Sequence, residues 1–64
     1  MRWNIKKCTN EKSLDIDAFL SEVLGVCKKH GLSISHEDIG GAFVVKKLND
    51  GDNDWLFDAM NNKD

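Results

Sequence analysis

"IDAFLSEVLGVCKKHG", residues 16–31, is the stretch that decides the fold of this chain. Apolar residues recur in it at the spacing i, i+3, i+4, i+7, i+8 and i+11, at Ile16, Phe19, Leu20, Val23, Leu24 and Cys27. This spacing places them on one stripe of an α-helix with about 3.6 residues per turn. The pattern predicts a long amphipathic helix from Leu14 to His30, whose stripe must be buried against another element.

Both ends of this predicted helix carry capping signals. Ser13 or Asp15 can cap the first turn, and acidic residues there favour the positive end of the helix dipole. The basic run Lys28–His30 favours the negative end. Gly31 follows directly, in the position where a glycine adopts the left-handed conformation that ends many helices.

The residues after the helix predict a β-hairpin. Leu32–Glu37 alternates between apolar and polar side chains, and Ala42–Leu48 is a second run typical of a strand. Asp38–Gly41 lies between them and supplies two glycines for a turn. A short strand is expected over Arg2–Cys8, followed by a polar loop over residues 9–12.

The C-terminal third predicts a loop over Asn49–Asn53 and a short helix over Asp54–Met60, capped by Asp52 or Asn53. Its inward residues are expected to be Trp55, Leu56, Ala59 and Met60, and residues 61–64 are expected to fray.

The whole chain, residues 1–64, is then a single small α+β domain. One long amphipathic helix packs on a small antiparallel sheet, which is the hairpin with or without the N-terminal strand. The expected core cluster is Phe19, Val23, Ile34, Phe43, Val45 and Trp55.

Size and charge narrow the classes of function. The chain has 64 residues and a net charge of −2, which disfavours a nucleic-acid binder held by phosphate contacts. Its longest apolar run, Ala42–Val45, is far too short to span a bilayer, and no secretory signal is visible. We therefore expect a cytoplasmic protein with no membrane partner. Cys27 is expected in the core, and a disulfide between Cys8 and Cys27 stays open.

His36, Glu37 and Asp38 form the most unusual polar cluster of the sequence. One interpretation is a metal or acid–base site, but successive strand side chains point to opposite faces, and few other ligands are available. The other interpretation is structural, with Glu37 and Asp38 accepting hydrogen bonds from the turn N–H groups. We expect no catalytic residue, metal or cofactor, and keep the cluster as a candidate binding surface.

Two further patterns resemble ligand-binding motifs without matching them. The acidic run Asp50–Asp54 has the carboxylate spacing of a calcium loop, but Trp55 and Asn61 occupy the positions of its glycine and its final glutamate. The pair Gly40–Gly41 lacks the spacing of a phosphate-binding loop.

Small residues line the opposite side of the predicted helix, at Ala18, Ser21 and Gly25. Such a strip lets another backbone approach closely, although a tolerated glycine on a solvated face explains it as well. The strip is therefore a second candidate binding surface, for a copy of this chain or for a target protein.

The segment "HGLSISHEDIGGAFVV", residues 30–45, resembles part of many very small proteins encoded by bacteriophages and prophages. The matching positions are Cys27–Leu32, Ser35–Asp38 and Gly41–Phe43, and the pair Trp55–Leu56 often closes such chains. The resemblance spans about residues 14–60 and implies a phage-like origin and an accessory role, with no settled activity.

From this resemblance we expect a non-enzymatic phage accessory protein that binds a host or phage protein, for example to inhibit a defence system or a host enzyme. The alternative is a binder of a small nucleotide or metabolite in a pocket between protomers. Whether the chain forms a homodimer is open.

Overall fold

The computed structural model describes residues 1–63 and has the predicted α+β architecture. Its elements are β1 (Arg2–Asn4), β2 (Thr9–Glu11), α1 (Leu14–His30), β3 (Leu32–His36), β4 (Phe43–Lys47) and α2 (Asp50–Phe57). β1 pairs with β2 and β3 pairs with β4, both antiparallel, so the strands form two separate hairpins. Neither helix is long and apolar enough to cross a membrane.

Helix α1 has the bounds that the sequence predicts. Gly31 ends it in the left-handed conformation, with φ of 70°, and its N–H donates to the carbonyl of Cys27. The start differs in detail. Ser13 occupies the N-cap position, but its buried hydroxyl has no hydrogen-bond partner. The carboxylate of Asp15 instead accepts the N–H of Ile16 at 2.9 Å.

β3 and β4 form the hairpin that the sequence predicts after α1, and the two faces of this hairpin differ. Ile34 lies opposite Val45, and His36 lies opposite Phe43. These side chains, with Leu32, point to the apolar face because alternate residues of a strand share a face. The other face is polar on β3, where Ser33 and Ser35 are both buried.

Helix α2 is joined to this polar face by hydrogen bonds. The hydroxyl of Ser33 donates to Oδ1 of Asn53 at 2.8 Å and accepts the backbone N–H of Asn49 at 2.9 Å. Ser35 donates to Oδ1 of Asp52 at 2.7 Å. A buried hydroxyl is tolerated only where it is paired, so these serines specify where α2 lies.

The predicted bounds and cap of α2 are wrong. The helix begins at Asp50, where a loop was expected, and ends at Phe57. Oδ1 of Asn49 accepts the N–H of Asp52 at 2.8 Å, and Nδ2 of Asn49 donates to the Asp52 carboxylate at 2.7 Å. This reciprocal pair caps the helix earlier than Asp52 or Asn53 could. Because the helix is displaced, Trp55 is 40% exposed where it was expected to face inward.

The N-terminal segment forms a hairpin where a single strand was expected up to Cys8. Asn4 is fully buried, and its Oδ1 accepts the N–H groups of Lys6 and Lys7, both at 3.0 Å. An asparagine that binds the backbone after it folds the chain into a turn. Cys8 completes the turn with a φ of 54°, and β2 returns antiparallel to β1.

The end of the chain is held, contrary to the expectation that residues 61–64 fray. Asn61 is 4% exposed; its N–H donates to the carbonyl of Trp3 and its carbonyl accepts the N–H of Ile5. Nζ of Lys63 lies 3.1 Å from the carboxylate of Asp15. The segment stays in place because the outer edge of β1 offers it backbone partners. Asp64 lies outside the described residues.

Arg2 connects three parts of the fold from a buried position. Its Nη1 donates to the carbonyl of Phe57, the last residue of α2, at 2.6 Å and to that of Ala59 just after the helix. Its Nη2 donates to the carboxylate of Asp17 on α1 at 2.6 Å. The guanidinium therefore satisfies terminal helix carbonyls and one carboxylate at once.

The predicted core is wrong, because most of its members are exposed. Leu20 and Cys27 are the only buried apolar residues within residues 1–63. Phe43 is 78% exposed, Val45 67% and Phe19 62%. Both helices pack against β3 and neither packs against β4. The domain measures 34 × 28 × 16 Å, and the expected cluster forms an open surface on this flat body.

Candidate functional site

The polar cluster at the end of β3 divides into two separate interactions. Nδ1 of His36 lies 3.1 Å from Oδ1 of Asp38, with both side chains in contact with solvent. The Glu37 carboxylate instead binds backbone N–H groups. Among residues 1–63, no three His, Cys, Asp or Glu side chains are placed so that they could hold a metal ion.

Glu37 organises the turn that follows. Its Oε1 accepts the N–H of Ile39 and its Oε2 that of Gly40, both at 2.6 Å. Asp38 was expected to share this role, but its carboxylate pairs with His36 instead. A Cβ on Gly40 would lie 2.7 Å from Oε2 of Glu37, so a side chain at this position would have to shift the end of the Glu37 side chain. Gly41 is needed because its φ is 71°.

Apolar and aromatic side chains are exposed in this turn, on helix α2 and just after that helix. The ring of His36 lies 4.5 Å from that of Trp55, between centroids, with an angle of 37° between the planes. Ile39 is 97% exposed and Met60 is 58% exposed. We call His36, Ile39, Trp55 and Met60 the tip surface. A shallow depression of about 410 Å³ adjoins Trp55 and is lined by Phe43, Trp55, Leu56, Asp58, Ala59 and Met60.

The tip surface has the chemistry of a contact surface. Its apolar members are large, and exposed aromatic side chains are the residues that most often anchor protein interfaces. The Glu37 hydrogen bonds fix the backbone beneath Ile39, and the His36 ring supports Trp55. A partner would therefore meet a turn backbone and a Trp55 ring that are already held in place, which lowers the entropic cost of binding.

The small-residue strip has the placement that the sequence predicts for it. Ala18, Ser21 and Gly25 are exposed and lie on the side of α1 away from the buried residues Leu20 and Cys27. A Cβ built on Gly25 would have no atom within 4 Å, so packing inside the chain does not require glycine there. The strip and the His36–Asp38 cluster lie on different elements. Docking at the strip stays a prediction.

The open apolar surface is a groove between α1 and the hairpin. It has a volume of about 490 Å³. Val23 and Ile34 form its half-buried floor, and the exposed side chains of Phe19, Phe43 and Val45 form its walls. We call these five residues the apolar groove. A contiguous apolar face of this kind on a small domain marks a place of contact with another surface.

The two cysteines are both free thiols. Cys27 is buried in α1, where the sequence predicts it, and Cys8 is exposed at the N-terminal turn. No disulfide therefore links the N-terminal hairpin to the helix.

The acidic run that resembles a calcium loop lies within helix α2. Its central carboxylate, Asp52, is held by Ser35 and Asn49, and hydrogen bonds from these two side chains lower the pKa of Asp52 below its ordinary value of 3.8. The run therefore joins α2 to the hairpin.

Sequence reasoning missed three members of the tip surface. Trp55 and Met60 were expected to face inward, and Ile39 was assigned only to the turn. Ile39 carried a usable signal, because a large apolar residue among turn residues such as aspartate and glycine is exposed unless something covers it. Trp55 carried none, since its exposure depends on where α2 begins.

Comparisons of the chain with protein-family models, with curated proteins and with solved structures find no match.

Proposed function

We propose that this chain is a small non-enzymatic accessory protein of a bacteriophage or prophage, acting in the cytoplasm of the host cell. It binds a host or phage protein, and it does so as a homodimer. A component of a host defence system, or a host enzyme, is the kind of partner that such a protein inhibits.

The observation that supports protein binding is the exposure of the tip surface. Ile39 and Trp55 project from a turn and a helix whose backbones are fixed by hydrogen bonds. Leaving such side chains in water is unfavourable, and burying one in an interface contributes about 1.5–3 kcal/mol. Affinity of this type requires only about 800 Å² of surface on each partner, which a domain of this size can supply.

A separate observation supports the proposed phage or prophage origin of the chain. It depends on the resemblance of Cys27–Leu32, Ser35–Asp38 and Gly41–Phe43 to segments of small phage-encoded chains. The tip surface includes part of the second of these segments, because His36 belongs to it. The residues that carry the resemblance therefore adjoin those that we propose for binding.

Affinity capture from bacterial cells tests the proposal. The tagged chain is expressed, the captured protein is identified and purified, and its dissociation constant is measured with wild type and with Ile39→Asp. Ile39 is almost fully exposed, so the variant is expected to fold, and we expect binding at least tenfold weaker. Leu14→Asp is the matched control, because Leu14 is 74% exposed on α1, outside the tip surface.

Three outcomes contradict parts of the proposal. If Ile39→Asp and Leu14→Asp bind the captured protein equally well, the tip surface is not the binding site. If Gly25→Leu alone abolishes capture, the partner binds the small-residue strip. If nothing is captured and the mass of the native protein exceeds that of the denatured chain by a small molecule, the protein binds a nucleotide or metabolite.

A further inference from the structure

Strand β4 has an uncovered edge. Within residues 1–63 it pairs only with β3, while α1 and α2 both pack on β3. The backbone N–H of Glu37 donates to the carbonyl of Ala42, and the backbone N–H of Leu48 donates to the carbonyl of Gly31. Because bonded and non-bonded pairs alternate along antiparallel strands, the backbone groups of Phe43, Val45 and Lys47 point away from β3. An open edge of this kind is a template for another strand.

The apolar groove lies beside this edge. Phe43 and Val45 contribute both the outward backbone groups and two of the most exposed apolar side chains. On α1, Phe19 faces the same space, and Val26 continues its apolar flank with 58% exposure. One partner placed against β4 could therefore satisfy the backbone groups and cover the groove together.

The molecule exposes more surface than an average monomer of its mass. A folded monomer of 7.2 kDa is expected to expose about 4,100 Å². This chain exposes 4818 Å². The excess of about 700 Å² is close to the roughly 800 Å² that each partner contributes to a stable interface. The chain therefore has enough surplus surface to supply one subunit's share of a dimer interface.

We propose that a second copy of this chain pairs antiparallel along β4, about a two-fold axis that passes beside Val45. This inference rests on the homodimer of the proposed function and assigns its interface. Val45 then lies opposite Val45 of the partner subunit, and Phe43 lies opposite Lys47 of the partner subunit. All five residues of β4 are paired, and the three outward-pointing positions form the bonded pairs. The result is a four-stranded sheet in the order β3, β4, β4 of the partner, β3 of the partner.

Charge and symmetry favour this register. It sets Lys46 opposite Val44 of the partner subunit, so no lysine faces a lysine, whereas moving the axis to Lys46 would place like charges together. An axis perpendicular to the sheet keeps both apolar faces on one side. The two α1 helices then flank the joined hairpins, and Phe19 and Val26 of each copy cover the central apolar side chains.

Sedimentation equilibrium with a charge-swap pair tests the inference. Wild type is expected to be a dimer. Val45→Asp and Val45→Lys each place like charges opposite each other, and each should raise the dissociation constant of the dimer at least tenfold. Mixing the two variants should restore a one-to-one heterodimer. Val45 is well exposed in the single chain, so both variants are expected to keep the wild-type circular dichroism spectrum.

Each result bears on a different statement. A wild type that stays monomeric at high micromolar concentration overturns both the homodimer and this interface. A wild-type dimer that both variants also form overturns the interface alone. Monomeric variants that do not associate when mixed overturn the register at Val45. Gly25→Leu is the control on the opposite side of α1, and a monomer from that variant would assign dimerisation to the small-residue strip instead.

Discussion

The hydroxyl of Ser33 and Oδ1 of Asn53 are joined by a buried hydrogen bond of 2.8 Å, between the hairpin and helix α2. Ser33 is completely inaccessible to solvent and Asn53 is 7% exposed. In most small domains such a central contact is apolar. Here hydrogen bonds determine how α2 sits on the hairpin, and the large apolar side chains are left for other surfaces.

Replacing Ser33 by alanine is expected to lower the free energy of unfolding by about 1–3 kcal/mol, because the N–H of Asn49 and Oδ1 of Asn53 lose a buried partner. Urea unfolding of Ser33→Ala, Asn53→Ala and the double variant measures this. The double variant is expected to lose less stability than the sum of the two single variants, since both single changes remove the same bond. Additive effects would mean that the bond contributes nothing to stability.

Glu37 and Asp38 are expected to respond differently to removal of their carboxylates. Glu37→Ala should lower the free energy of unfolding by about 0.5–1.5 kcal/mol, because the exposed N–H groups of Ile39 and Gly40 lose their acceptors in the turn and water replaces them only in part. Asp38→Ala should change it by less than about 0.5 kcal/mol, because its pairing with His36 is exposed. Thermal melts of both variants provide the comparison. A larger loss for Asp38→Ala would restore the assignment made from sequence.

The long helix and the second hairpin could be predicted because their signals are local and periodic. Gly31 ends α1 with the left-handed conformation that its position implies, and the alternation from Leu32 onward gives β3 its faces. The N-terminal hairpin could not be predicted in this way. Its turn depends on the side chain of Asn4 binding the next N–H groups, in a segment where the apolar spacing of Trp3 and Ile5 favoured a continuous strand.

The candidate site was predictable in part for the same reason. His36–Asp38 do lie at the end of a hairpin, as the alternation and the glycines indicate. Which carboxylate binds the turn depends on side-chain reach, and the exposure of Trp55 depends on Asn49 capping α2 early. The predicted core failed because periodicity identifies an apolar stripe but cannot show how much of it the rest of the chain covers.

The contribution of Arg2 to stability is expected to depend on the planar shape of its guanidinium as well as on its charge. Arg2→Lys should lower the free energy of unfolding by about 1–3 kcal/mol, because an ammonium cannot donate as a planar fork to both Asp17 and the carbonyls at the end of α2. Lys12→Ala, at an exposed position, is the control. Chemical unfolding that gives equal stabilities for Arg2→Lys and wild type would show that charge alone suffices.

Phe19 is expected to matter for association more than for the fold of the single chain. Phe19→Ala should cost less than about 1 kcal/mol when the protein is dilute, because the side chain is 62% exposed. At high concentration the loss should increase, because the dimer that we propose would stabilise wild type more than the variant. Leu20→Ala is the matched control. Leu20 is buried, so its loss of about 2–5 kcal/mol should not depend on concentration.

Acid is expected to weaken the attachment of α2 through Asp52. Hydrogen bonds from Ser35 and Asn49 hold the pKa of its carboxyl below 3.8 in the folded state. As the pH falls below that value, the unfolded chain takes up the proton first. The contribution of Asp52 to stability is therefore complete above pH 3.8 and is lost as the pH falls through the lowered pKa of the folded state.

Urea unfolding from about pH 6 to about pH 2 should therefore give a smaller acid-induced loss of stability for Asp52→Asn than for wild type. Asp54→Asn, on the exposed side of the same helix, is the matched control and should follow wild type. If Asp52→Asn also follows wild type over the whole range, its hydrogen bonds do not distinguish the charged from the protonated carboxyl.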